Sequence, residues 1–259
     1  SGPEVLVKQV QFAARQKDED AAARAFADIC HAEGDGPPLF LQMGLAEMRV
    51  AGWEARSHAL MKDAWQSGEP FNPWAAIYWL DTPDAEAADT DERLAACDAA
   101  IEHYPRFVPA YDRRAEQLAG AGRFDDAAAA CAPPAVPPPY PIALRGRAAW
   151  VEARRGDRAR AIDLMKKIVA DEPDYAWGWR QLAGWYDAEG RPRDFLDAAD
   201  QLVRLNPDDP FAHGLRGEAK RVLGDHRGAT DDFETAFDLD PSFDAAVRQL
   251  LSEQLATDD

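Results

Sequence analysis

The sequence is poor in cysteine, in long apolar runs and in positive charge, and each shortage excludes a class of protein. Three cysteines in 259 residues, Cys30, Cys97 and Cys131, lie far apart without a CxxC or CxxH motif, so neither a disulfide framework nor a zinc site is indicated. No apolar run approaches the roughly 18 residues of a membrane span. The N-terminus also lacks the basic and apolar segments of a secretory signal. We therefore expect a soluble protein in the cytoplasm, with no membrane partner.

Positive charge is scarce, because 47 acidic side chains stand against 29 Lys and Arg and leave a formal net charge of −18. Nucleic acid and anionic membranes would be repelled, since no gain from counterion release offsets the contact of two polyanions. The acidic residues are spread along the chain instead of being gathered in one tail. Such a spread is typical of charge that keeps a protein soluble, and it also suits a basic partner.

Residue patterns that carry out catalysis are missing. The five histidines are scattered, and the sequence has no HExxH, no GxSxG and no glycine-rich phosphate loop. The acidic series Asp238, Asp240 and Asp244 lacks the glycine and the final glutamate of a calcium loop. We therefore predict no catalytic residues, no metal site, no cofactor and no intrinsic enzyme activity.

What the sequence does have is a period of 34 residues. Prolines recur at this spacing, at Pro173, Pro207 and Pro241. Glycines recur at the same spacing, at Gly122, Gly156, Gly190 and Gly224. Each period predicts two helices of about a dozen residues, because glycine allows the left-handed turn that ends the first helix and proline stops the second. Such a helix pair buries its apolar stripe only by stacking on the next pair, so the period predicts a solenoid.

On these residues the sequence resembles tetratricopeptide-repeat proteins, whose first helix carries aromatic, Leu, small and Tyr positions and whose second helix carries small residues and a final proline. The best repeat fills those places with Trp179, Leu182, Ala183, Tyr186, Gly190, Phe195, Ala199, Leu202 and Pro207. Residues 210–243 match well on the second helix and poorly on the first, which has His213, Arg216 and Lys220 at the pattern places. The resemblance implies an all-α fold, a right-handed α-solenoid of helix-turn-helix repeats with a C-terminal capping helix.

The repeat register predicts the domain organisation. Seven repeats are expected, at 6–39, 40–73, 74–107, 108–141, 142–175, 176–209 and 210–243. Residues 244–259 are expected to form the capping helix and an acidic tail. Residues 1–5 are expected to be an N-terminal tail, since Ser1-Gly2-Pro3 is typical of the remnant of a cleaved tag, and a native leader could have been trimmed.

Two stretches depart from the repeat pattern. Pro83 lies inside the expected first helix of the third repeat and predicts that this helix ends or kinks there. Six prolines between residues 133 and 141 predict an extended segment that cuts the second helix of the fourth repeat to about two turns. This segment could be a local irregularity, a hinge or a binding element.

The resemblance also implies a concave groove lined by particular places on the first helices, while Trp179, Leu182 and Tyr186 match places that pack inside. Rings and charged side chains assigned to the groove are the candidate peptide-binding residues: Tyr78, Asp112, Glu116, Glu152, Trp177, Arg180, Asp187, Phe211 and Glu218. Trp177 is the expected aromatic anchor, and Trp185 is expected to fill the space between neighbouring pairs. Carboxylates would pair with Lys or Arg of a partner, and rings add cation–π attraction.

These features favour a protein-interaction scaffold that binds an extended or helical protein segment with basic and apolar residues in the groove. One alternative keeps the fold and makes the chain the substrate-recognition region of a larger protein-modifying enzyme, a transferase or a hydroxylase. A remote alternative is an all-helical glycan-active enzyme, in which paired carboxylates act as acid and base. The Lys and Asn pair with which chaperone-binding members of the family clamp a C-terminal carboxylate is missing. The sequence does not indicate an oligomeric state.

Overall fold

The structure is a computed structural model that describes residues 2–32, 38–67 and 71–242. Fifteen helices and no strand lie in these residues, so the predicted all-α fold is confirmed. The chain divides into two compact units, residues 1–151 and residues 152–259, which we call unit 1 and unit 2. Within each unit, helices pack on their neighbours along the sequence. This is how an α-solenoid is built.

Unit 1 contains α1 (Pro3–Gln16), α2 (Glu19–Ala32), α3 (Leu39–Val50), α4 (Glu54–Ser67), α5 (Pro73–Trp79), α6 (Pro83–Ala87), α7 (Thr90–His103), α8 (Val108–Gly120), α9 (Phe124–Ala130) and most of α10 (Ile142–Arg155). The first helices of the pairs are α1, α3, α5, α8 and α10. The second helices are α2, α4, α7 and α9, and α6 is an additional short helix. First and second helices pack on each other, as α1 does on α2 and α8 on α9.

Unit 2 contains the end of α10 and five further helices: α11 (Arg158–Asp171), α12 (Ala176–Ala188), α13 (Pro192–Leu205), α14 (Pro210–Val222) and α15 (His226–Leu239). Here α12 and α14 are first helices, and α11, α13 and α15 are second helices. Gly190, at φ +62°, and Gly224, at φ +84°, form the left-handed turns between first and second helices, which a residue without Cβ adopts most easily.

The N-terminal end of the chain differs from the predicted domain bounds. α1 begins at Pro3, so residues 3–5 belong to the first helix and not to the N-terminal tail that we expected. Proline suits this start, because the first turn of a helix leaves its amide hydrogens unpaired in any case. The predicted capping helix and tail at 244–259 lie outside the described residues.

Pro83 shortens a first helix of unit 1. α5 ends at Trp79 after seven residues, and α6 begins at Pro83. Thr82 stabilises this break, because its Oγ1 accepts a hydrogen bond from the amide of Ala85 at 3.3 Å and donates one to the carbonyl of Trp79 at 2.7 Å. Proline thus ends one helix early and starts another, which N-terminal capping by Thr favours.

The proline-rich segment at 133–141 follows α9, which has seven residues, about the two turns that the breaker pattern indicates. Val136 of this segment is buried and packs with Tyr111 of α8 and Leu144 of α10. The segment therefore lies against unit 1 and contributes a side chain to its core.

Candidate functional site

The candidate site is the surface on which consecutive first helices meet, and we call it the first-helix face. In unit 1 side chains bridge these helices at about one repeat of sequence separation. Gln42 of α3 donates a hydrogen bond to the hydroxyl of Tyr78 on α5 at 2.6 Å, and Arg113 of α8 pairs with Asp81, just after α5. Tyr78, one of the predicted residues, is half-buried, and its ring also stacks on Trp74 with 5.9 Å between centroids.

Arg147 of α10 brings together two of the predicted carboxylates, Asp112 and Glu116 of α8. Its guanidinium donates to both carboxylate oxygens of Asp112, at 2.8 and 2.9 Å, and to Glu116 at 3.4 Å. Arg147 is only 8% exposed. Burial alone would lower its pKa, but the hydrogen bonds to Asp112 and the two negative charges outweigh burial and raise the pKa. Both carboxylates are therefore paired within the protein.

Glu152, the carboxylate predicted for the groove on α10, does not stand at the repeat position of Glu116. Its side chain is buried and pairs with Arg160 of α11 at 4.0 Å. One 34-residue step from Glu116 leads to Trp150 and not to Glu152. The ring of Trp150 lies 4.9 Å from the guanidinium of Arg147, a cation–π contact at the first-helix face that sequence reasoning missed. A strict count of the repeat would have found it.

In unit 2 the first-helix face carries rings and an arginine. Trp177 of α12 is half-buried, and its ring centroid lies 5.8 Å from that of Tyr175. The guanidinium of Arg180 lies 3.8 Å from the ring centroid of Phe211 on α14. Trp177 and Arg180 share one side of α12 because they are three residues apart. Three predicted residues, Trp177, Arg180 and Phe211, therefore belong to the N-terminal half of this face.

The C-terminal half of the same face is more open and more acidic. Gly184 of α12 lies one turn after Arg180, and no heavy atom lies within 4 Å of the point that a Cβ there would occupy. Asp187 follows on the same side of α12 and is exposed. On α14, the predicted Glu218 forms an ion pair with Arg221 at 2.5 Å. This half of the face therefore has no side chain at Gly184. It carries the exposed carboxylate of Asp187 and the paired carboxylate of Glu218.

The other cations of α14 point to the second helix of their own pair. Asp232 of α15 is 3% exposed and accepts hydrogen bonds from Arg216 at 2.6 Å, while the Lys220 amine lies 2.8 Å away. Burial would raise the pKa of Asp232, but the hydrogen bonds from Arg216 and Lys220 lower it below its ordinary value. These ion pairs explain how α14 packs although it fits the apolar repeat pattern poorly.

His213 keeps a packing contact that aromatic residues make in other pairs. In each case a side chain of a first helix bonds to the carbonyl of the proline six residues earlier: Tyr111 to Pro105 at 2.9 Å, Trp179 to Pro173 at 2.8 Å, and His213 to Pro207 at 2.8 Å. The carbonyl only accepts, so Nε2 of His213 carries a proton in this contact. His213 therefore has a structural role.

The described residues give little evidence of a metal site, a reactive thiol or a membrane span. Among them, no group of three or more His, Cys, Asp or Glu side chains could hold a metal ion. Burial raises the pKa of the Cys97 and Cys131 thiols to about 12, so neither is a thiolate nucleophile near neutral pH. No helix in 2–32, 38–67 or 71–242 has the length and apolar character needed to cross a membrane.

Comparisons with known proteins agree with this architecture. A family model of the tetratricopeptide repeat matches residues 153–219. The fold is similar to the crystal structure of a tetratricopeptide repeat protein from Parabacteroides merdae, with a TM-score of 0.64 and 15% identity over 97% of this chain and 98% of that chain. It is also similar to PilW, a widely conserved type IV pilus biogenesis factor, with a TM-score of 0.59 and 16% identity over 79% of this chain and 94% of PilW. A comparison with curated protein sequences finds no match.

Residues 153–219 are therefore tetratricopeptide repeats, and the chain as a whole has the fold of a tetratricopeptide-repeat protein, an all-α solenoid. The resemblance to tetratricopeptide-repeat proteins that the sequence indicated is confirmed. At the identities of the two solved structures the likeness is one of fold. It carries over none of their partners.

Proposed function

We propose that the chain is a protein-interaction scaffold, and that the first-helix face of unit 2 binds an extended or helical protein segment with apolar and basic residues. The observation that carries the proposal is the half-buried ring of Trp177 beside Arg180 and the open position at Gly184. A partner side chain that covers such a ring removes a large apolar area from water, which is why Trp and Arg recur among the residues that dominate binding energy.

The basic character of the partner rests on the net charge of −18 and on the exposed carboxylate of Asp187. Asp112, Glu116 and Glu218, which we also expected to pair with a partner, already pair with arginines of the chain. An exposed ion pair stabilises a complex by at most about 1 kcal/mol. We therefore assign the main role to Trp177 and a smaller role to the carboxylates. The chain acts, in this proposal, by binding in the cytoplasm without chemistry of its own.

Two synthetic peptides test the proposal, one with alternating apolar residues and lysines and one with glutamates in place of the lysines. Fluorescence anisotropy of the labelled peptides should show tighter binding of the lysine peptide. Trp177→Ala should weaken that binding by about thirty-fold, since a well-placed ring contributes about 2 kcal/mol. Val50→Ala is the control, because it shortens a side chain of α3 that is 86% exposed and lies outside this face, and it should change the affinity less than about two-fold.

Two outcomes would count against the proposal in different ways. Equal affinity for the lysine and glutamate peptides would remove the basic character of the partner and leave the site in place. Unchanged binding by Trp177→Ala would exclude the first-helix face of unit 2 as the binding site.

A further inference from the structure

A groove of about 590 Å³ lies between α1 and α2, the first helix pair. Val5 and Phe12 contribute to its lining, together with Gln9, Ala21 and Arg24. Val5 is 47% exposed and Phe12 is 66% exposed. In a solenoid, a helix pair buries such an apolar surface on the pair next to it. The groove therefore has the character of an unoccupied stacking surface.

A cavity in unit 2 shows which kind of element packs against such a surface. The first pair matches α12 and α13 residue by residue when Lys17, at φ 58°, is placed on Gly190, at φ 62°. Five residues that line the α1–α2 groove then fall on five that line a cavity of about 280 Å³ in unit 2: Gln9 on Leu182, Ala13 on Tyr186, Ala21 on Asp194, Arg24 on Asp197 and Ala25 on Ala198. That cavity is also lined by Lys166 and Val169 of α11, the second helix of the preceding pair. The natural occupant of the α1–α2 groove is thus a second helix.

α15 is a second helix with the matching apolar residue exposed. When Gly224 is placed on Gly156, Phe237 of α15 falls on Val169 of α11. Val169 packs on the next first helix, since its Cγ1 lies 2.9 Å from the point that a Cβ on Gly178 would occupy. Phe237 is 38% exposed.

The charges of the two surfaces complement each other as well. In the unit 2 cavity, Lys166 of α11 and Asp197 of α13 line the same space. In the α1–α2 groove Arg24 takes the place of Asp197, and in α15 Glu234 takes the place of Lys166. Both signs are inverted, so a contact of Glu234 with Arg24 would again join opposite charges.

Earlier second helices of the chain already use an acid at the place of Glu234. Asp98 of α7 pairs with Arg114 of α8 at 2.7 Å, and Asp200 of α13 pairs with Arg216 of α14 at 3.5 Å. In both cases the acid reaches the first helix of the following pair. Glu234 is exposed and continues this series at the end of the described helices.

We propose that copies of this chain associate head to tail, with α15 of one copy in the groove between α1 and α2 of the next. Phe237 of the first copy then packs against Phe12 and Val5 of the second, and Glu234 lies beside Arg24. The interface is heterologous, because the two surfaces differ, so a dimer keeps one free surface of each kind and can add further copies. This surface is separate from the first-helix face and does not depend on the proposed function.

Sedimentation velocity of the full chain tests the proposal, and the average mass should rise with concentration. Phe12→Glu and Phe237→Glu should each give a monomer, because each buries a charge in one of the two surfaces. An equimolar mixture of these two variants should give dimers and nothing larger, since it contains one intact α15 and one intact groove. Val50→Glu is the matched control: Val50 is 86% exposed on α3, outside both surfaces, and its variant should assemble like the wild type.

A charge exchange tests the orientation of the helix in the groove. Arg24→Glu should weaken association at least about ten-fold, because it places like charges together. Combining Arg24→Glu with Glu234→Arg in one chain should restore it. A wild type that stays monomeric at every concentration would overturn the proposal. Mixed variants that form larger species, or single variants that still associate, would overturn it too.

Discussion

Arg147 in unit 1 and Arg216 in unit 2 are both arginines of a first helix, but they pair with carboxylates in different directions. Arg147 reaches the neighbouring first helix, where it holds Asp112. Arg216 reaches the second helix of its own pair, where it holds Asp232. The first arrangement fills the first-helix face of unit 1 with ion pairs, and the second leaves the face of unit 2 to rings such as Trp177. The direction of the ion pairs thus distinguishes the first-helix faces of the two units.

Both arrangements follow one energetic rule. A buried ion pair adds little stability compared with apolar side chains of the same size, yet removing one partner is costly because the other charge stays buried. In unit 2 the polar set of α14 stands at places that Leu182 and Tyr186 fill with buried side chains in α12. The α14–α15 pair should therefore depend on charge where the α12–α13 pair depends on apolar packing.

The largest effect is expected for Asp232→Asn. The substitution leaves Arg216 and Lys220 without their shared carboxylate, so the free energy of unfolding should fall by about 3 kcal/mol. Urea unfolding followed by circular dichroism measures it. Asp231→Asn, at the exposed neighbouring position, is the control and should change the stability by less than about 0.5 kcal/mol. Equal effects of the two variants would show that the ion pairs of α14 do not hold this pair.

The same carboxylate makes stability depend on pH. The pKa of Asp232 is lowered from its ordinary value of 3.8, so the unfolded chain binds the proton more readily than the folded one. Its contribution is therefore complete above that value and is lost as the pH falls through the lowered folded pKa. Asp232→Asn should lose less stability than the wild type between about pH 5 and pH 2. Parallel pH profiles of wild type and variant would contradict this assignment.

A smaller effect is expected for Arg147→Ala in unit 1. Asp112 and Glu116 are partly exposed, so the loss of stability should be about 2 kcal/mol, below the range for fully buried pairs. The change also removes the partner of Asp112, while Glu116 keeps its ion pair with Arg113 at 2.9 Å, and binding of the lysine peptide should tighten by up to about five-fold. Arg123→Ala removes an exposed pair with Asp126 and should change neither quantity. Unchanged peptide affinity in Arg147→Ala would show that balanced charge is not what closes the face of unit 1.

The fold was largely predictable because the signals that end these helices are local. Glycine with a positive φ and proline at a helix boundary act within one turn, and they mark α8 to α15 at the expected step. The shortening of α5 before Pro83 and of α9 before the prolines followed from the same local rule. The start of α1 at Pro3 was not predicted, because Ser1-Gly2-Pro3 suggested a tail, although proline is also common in the first turn of a helix.

The site was less predictable, because partners of a side chain depend on packing between helices. Position in the repeat placed Trp177, Arg180 and Phe211 at one face, yet it did not show that Arg147 would pair with Asp112 and Glu116. Glu152 lies two residues past Trp150, the residue at the repeat position of Glu116, so repeat position alone does not assign it to this face. Repeat position predicts which face a residue lies on, and only the packed structure shows whether its charge is available.

Two glycines of α12 provide the smallest and most local test of which side of this helix is open. A Cβ on Gly178 would lie 2.7 Å from Cδ1 of Tyr175 and 2.9 Å from Cγ1 of Val169, whereas a Cβ on Gly184 would meet no heavy atom within 4 Å. Gly178→Ala should therefore destabilise the protein by about 1 kcal/mol. Gly184→Ala should stabilise it by about 0.5–1 kcal/mol, because alanine is the better helix former. Urea unfolding of both variants measures the difference.

A larger side chain at Gly184 then separates stability from binding. Gly184→Leu should fold as well as Gly184→Ala, since the position is open, but its side chain would stand on the first-helix face of unit 2 and weaken binding of the lysine peptide. Stabilisation by alanine at both positions would mean that Gly178 is not packed against α11. Unchanged peptide binding by Gly184→Leu would mean that the open side of α12 is not the side that a partner uses, and the contrast between the faces of the two units would then concern folding alone.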